Sequence, residues 1–65
     1  MKDWQERVKT ERIELEDKLI KLQEFMSFQA YADLDSIQQG LLTEQLYFME
    51  QYLRVLNERI SRFGQ

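Results

Sequence analysis

The sequence contains no cysteine, no histidine and no proline, and only two glycines and one tryptophan. Each absence excludes something. Without cysteine no disulfide can compensate for a small core. Without cysteine and histidine there is no thiolate or imidazole set for a transition metal, and no usual nucleophile–base pair. The four-carboxylate, two-histidine pattern of di-iron bundles fails for the same reason. No glycine-rich phosphate loop is present. No catalytic group, metal or cofactor is therefore expected. The lack of proline leaves long helices uninterrupted. No apolar run is long enough to cross a bilayer and no secretory signal is evident, so the cytosol is the default compartment. Basic residues are also scarce, with nine Lys and Arg against twelve Asp and Glu and a net charge of −3. Long DNA or RNA is bound through a basic face, and this chain as a whole has none. Charges of both signs alternate along it, which argues against an interfacial membrane helix.

What is present is periodicity. Leu42, Leu46, Met49, Leu53, Leu56, Ile60 and Phe63 recur at alternating steps of four and three. That is the stripe of a helix burying one seam along its length. A second helix is expected upstream. Met1, Val8, Leu15 and Leu22 form one heptad row, and Gln5, Arg12, Leu19 and Met26 its partner, so this seam is polar at its start and apolar at its end. Trp4, Glu11, Lys18 and Phe25 form a third row, with Ile13 and Ile20 on another side. The pattern predicts helix one over 3–27, a connection over 28–35 and helix two over 36–63. Asp3 with Glu6 and Asp35 with Gln38 have capping-box spacing. Phe28, Tyr31 and Leu34 suit a short helical turn over the hairpin end. Glu14–Lys18, Asp17–Lys21, Glu50–Arg54 and Glu58–Arg62 are in the favourable i,i+4 order. Gly40, inside helix two, marks either a close approach or a tolerated weak spot, and Gly64 a C-terminal cap.

The fold class is all-α: residues 1–65 form a single domain, an antiparallel two-helix hairpin with a short helical connection. A chain of this length buries only about 60% of its unfolded surface. Helix two also carries a second stripe, Leu41, Phe48, Tyr52 and Val55. One partner helix cannot cover both stripes, so the hairpin is expected to associate with copies of itself.

Carboxylates are plentiful but sit at salt-bridge spacing, and nothing in the sequence forms a catalytic dyad. Binding a small anion is a different matter, because a few cations and flat rings suffice. Trp4 can stack on a base and lysine or arginine can bond phosphate. The purely structural alternative has Trp4 packed in a subunit interface and Lys18 paired with Glu14. Trp4 and Lys18 are four helical turns, about 21 Å, apart. They can share one small ligand only if different subunits supply them.

The residues Trp4-Gln5-Glu6-Arg7-Val8, Glu11, Glu14-Leu15, Lys18, Leu22 and Phe25-Met26 continue into Leu34-Asp35, Gln39, Leu41-Leu42, Gln45-Leu46, Met49, Tyr52-Leu53, Leu56, Arg59-Ile60 and Phe63. Across nearly the whole chain this resembles a family of small phage anti-CBASS sponges, which sequester cyclic oligonucleotides made by bacterial cGAS-like enzymes. The most specific parts are the aromatic-Gln-x-Arg-Val opening and the Arg-Ile-x-x-Phe ending. The resemblance implies a helical hairpin assembled into a homohexamer with two types of pocket. One, between paired subunits, takes cyclic dinucleotides through an aromatic ring and a lysine, here Trp4 and Lys18. The other, on three-fold axes, takes cyclic trinucleotides through a ring of arginines, here Arg59. Arg7 matches the opening motif in a supporting role. The implied location is the cytoplasm of the infected bacterial host. The alternative reading is a coiled-coil structural or regulatory protein whose exposed stripe captures a partner helix.

Overall fold

The computed structural model describes residues 3–64. Three helices follow in order: α1 (Asp3–Met26), α2 (Gln29–Ala32) and α3 (Ser36–Ser61). α1 and α3 pack side by side in opposite directions, and α2 closes one end. The result is a rod of 47 × 15 × 14 Å. Every described element is helical, as the heptad rows predict.

Helix ends follow from local chemistry. α1 is described from Asp3, which is itself helical rather than the cap expected there. Asp3 and Glu6 lie in the first turn, where carboxylates complement the helix dipole. At α3 the expected cap is formed: Asp35 has extended backbone, and its Oδ1 accepts from the Gln38 amide at 2.8 Å. Gln39, one residue further on, bonds back to the connection. Its Nε2 donates to the Tyr31 carbonyl at 3.0 Å, and the Tyr31 hydroxyl donates to the Gln39 carbonyl at 3.4 Å. Tyr31 also meets Phe25 edge-to-face, with ring centroids 6.3 Å apart. These contacts tie α2 to both long helices. At the other end α3 tightens rather than continuing to Phe63. The Phe63 amide donates to the Ile60 carbonyl at 3.0 Å, and Gly64 takes a left-handed φ of 89°, a conformation that glycine adopts without steric cost.

The core is thin. Val8, Leu15, Leu19 and Leu56 are buried, and only Leu56 is fully so. Met49, Leu53, Ile60 and Phe63 pack partly buried against them. The main α3 stripe therefore faces α1, with Leu42 and Leu46 half-buried toward the closed end. On α1, Gln5 and Arg12 occupy the polar start of the seam at intermediate exposure. Met1 of the first heptad row lies outside the described residues. The second stripe faces away from the hairpin: Leu41, Phe48, Tyr52 and Val55 are all exposed.

The structure bears on two further details of the pattern. A Cβ built on Gly40 would meet nothing within 4 Å, so within one chain no close approach explains this glycine. Of the four expected ion pairs, Asp17–Lys21 and Glu58–Arg62 form, each at 2.9 Å. Among the described residues Glu14–Lys18 and Glu50–Arg54 do not. Arg12 instead pairs with Glu16 at 3.0 Å, and Arg54 Nε donates to Gln51 Oε1 at 3.4 Å. On a solvated face such pairs contribute little and compete with hydration, so spacing alone does not decide which close.

Candidate functional site

Antiparallel packing brings the start of α1 beside the end of α3. There the Trp4 and Phe63 rings meet at 5.2 Å between centroids and 85° between planes. Phe63 is held in turn by the core cluster of Val8, Leu15 and Leu56. Trp4 is thereby braced on a packed ring while 48% of its surface stays open. A braced, half-open indole is a flat surface with little side-chain entropy left to lose, which is what stacking on a planar base requires.

Two candidate cations share this open end. Arg7 lies one turn along α1 from Trp4, and Arg59 one turn before Phe63. Both are exposed, and no ion pair among the described residues involves either. Arg59 is the basic residue of the last turn of α3, so it also complements the negative pole of that helix. Lys18 stands apart, exposed near the middle of α1 and without the Glu14 partner that the structural alternative assigned to it. One chain thus gathers Trp4, Arg7 and Arg59 at one end of the rod and leaves Lys18 elsewhere.

One further feature of the surface lies outside the residues picked out by motif or resemblance. An open groove of about 480 Å³ runs between the helices, lined by Leu19, Leu53, Glu50, Arg54, Asn57, Glu58 and Ser61. Its α3 residues recur at three- and four-residue steps, so a helical projection would have revealed the face. Two carboxylates against one guanidinium make it a poor phosphate site by charge. Among the described residues the one perturbed titrating group also lies away from the candidate residues. Lys21 is raised above its ordinary 10.5, chiefly by its hydrogen bond to Asp17 and then by that carboxylate's charge. No group of side chains suited to a metal ion occurs among the described residues, and none of the described helices is long and apolar enough to cross a membrane.

No curated protein and no solved structure matches the chain. Residues 2–62 match the model of the Sequestin family, whose name agrees with the sponge resemblance, and the chain belongs to that family.

Proposed function

We propose that this protein is a phage immune-evasion factor that binds and sequesters cyclic di- and trinucleotide messengers of bacterial CBASS defence in the host cytoplasm, without cleaving them. The family name points to a sequestering rather than a catalytic role. The observation that carries the ligand class is Trp4, half-open and braced by Phe63 at 5.2 Å. A planar purine has a surface to stack on, and Arg7, Arg59 and Lys18 offer charge to phosphates without competing acidic partners among the described residues. Sequestration needs no nucleophile and no general base, in keeping with the absence of histidine and cysteine.

The pockets form between chains of a homohexamer. Lys18 of one copy completes the stacking site at Trp4 of another, and three Arg59 side chains converge on a cyclic trinucleotide. Three guanidiniums balance three phosphates, so an acidic total charge is no obstacle. Without ligand the arginines repel one another. Ligand at one hundred times its Kd then stabilises the folded state by about 2.7 kcal/mol.

Thermal denaturation with a panel of cyclic di- and trinucleotides tests this reading. At least one should raise Tm by several degrees, while the linear dinucleotide should have less effect. Trp4→Ala and Lys18→Ala should weaken dinucleotide binding, and Arg59→Ala mainly trinucleotide binding. A well-folded sample that no cyclic nucleotide stabilises contradicts the proposal.

A further inference from the structure

α3 has two apolar faces, and the hairpin uses one. The other carries Ile37, Leu41, Phe48, Tyr52 and Val55, between 42% and 73% exposed. The chain exposes 5100 Å² at a mass of 8.0 kDa, whereas a compact monomer of that mass would expose roughly 4,500 Å². The excess, roughly 600 Å², is close to what one partner contributes to a specific interface, about 600–1,000 Å². The hairpin as a whole therefore exposes more surface than a compact monomer by about the extent that one copy presents to another.

Its charges say which way the second copy runs. Glu44 borders the stripe in its first half and Arg59 ends it. Both are exposed, and neither has an ion pair among the described residues. Fifteen residues, about 22 Å, separate them along one helix, so they cannot meet within a chain. About Tyr52 the stripe is nearly self-complementary when reversed. Phe48 lies four residues before it and Val55 three after. Glu44 lies eight before and Arg59 seven after.

We propose that a second copy of this chain docks on the outer face of α3, antiparallel, about a two-fold axis passing at Tyr52. Phe48 of each copy then packs on Val55 of the other, and Glu44 of each faces the Arg59–Arg62 turn of the other. A parallel pairing in the same register would set Glu44 against Glu44 and Arg59 against Arg59, placing like charges together at both ends. Two-fold contacts of this kind are self-complementary and closed, so the face is consumed once and cannot propagate a fibre. This inference rests on the self-assembly in the proposed function and adds the face, the direction and the register.

The absence of cysteine makes the test clean, since any thiol introduced is the only one. Disulfide formation needs Cα atoms within about 4.4–6.8 Å. Tyr52→Cys, on the axis, should therefore oxidise to a covalent dimer, and at least tenfold faster than Leu41→Cys. The symmetry mate of residue 41 is displaced by about 22 residues, roughly 33 Å along the helix. Should Tyr52→Cys lose helicity by circular dichroism, mixing Phe48→Cys with Val55→Cys replaces it and should give the heterodimer in preference to either homodimer. Glu44→Arg should raise the protein concentration needed for association at least tenfold, and adding Arg59→Glu should restore it. Equal cross-linking at positions 41, 52 and 55 would mean parallel pairing. No cross-linking of Tyr52→Cys in a multimeric sample would mean that the face covers something other than itself, such as the Ile13–Ile20 side of α1. Either result overturns the inference. A multimer that binds cyclic nucleotides yet fails this test loses only the interface, and one that passes it while ignoring every nucleotide loses only the ligand.

Discussion

Among the described residues Leu56 is the one side chain with no exposed surface, and replacing it by alanine tests the packing of the hairpin most sharply. It contacts the core formed with Val8 and Leu15, and Met49, Leu53, Ile60 and Phe63 surround that core. Large-to-small changes at fully buried leucines cost about 2–5 kcal/mol through lost transfer energy and the cavity left behind. Stability of about 0.05–0.15 kcal/mol per residue puts a chain of this size at roughly 3–10 kcal/mol, so Leu56→Ala removes about a fifth of the total or more. At about 4–8 °C per kcal/mol for a domain this small, Tm should fall by at least about 8 °C. The assay is thermal and urea denaturation followed by helical circular dichroism, at fixed protein concentration because assembly adds stability of its own. Ile37→Ala is the control, since Ile37 is 73% exposed and should change the hairpin's own stability by less than 1 kcal/mol. A Leu56→Ala loss no larger than that of Ile37→Ala would refute the placement of the core.

Gly40→Ala should stabilise the hairpin by about 1 kcal/mol, because alanine is the better helix former and its methyl meets nothing within 4 Å; destabilisation of the assembled protein in chemical denaturation would mean that a neighbouring copy packs against this glycine. Asp35→Ala should cost about 1 kcal/mol through loss of the bond to the Gln38 amide, and Asp35→Asn should recover most of it. Because Arg59 is claimed both by the three-fold ligand ring and by the α3 face, Arg59→Ala should lower trinucleotide affinity and weaken association together; a change in affinity with no change in molecular mass assigns it to the ligand alone. Lys21 is raised above 10.5 by Asp17, so its contribution is complete below that pH and fades as pH rises through the higher folded value. Lys21→Gln should therefore flatten the alkaline fall in stability and leave the profile between pH 6 and 9 unchanged.

Both long helices and their buried faces are legible in the sequence because the heptad rows are long and unbroken. Seven residues from Leu42 to Phe63 predict the α3 seam, and all seven are buried or half-buried. The Asp35 cap is equally legible, since a carboxylate three residues before an amide has a local reason to bond it. Exposed ion pairs are not, because Glu14–Lys18 and Asp17–Lys21 have the same spacing and solvent decides between them. The Trp4–Phe63 contact needs both helix directions and the register, neither of which periodicity along one helix contains. A helical projection shows the α3 face of the groove beside Leu19, but the groove itself exists only between two helices. Ring and charge chemistry point to Trp4 and Lys18, whereas Arg7 and Arg59 rest on the family resemblance. Composition alone does not separate them from an ordinary solvated helix face.

Native mass spectrometry of the protein incubated with cyclic di- and trinucleotides tests the central claim in one spectrum. A homohexamer carrying whole numbers of intact, uncleaved cyclic nucleotides is the predicted result. A bare monomer, or nucleotide released as linear product, would contradict it.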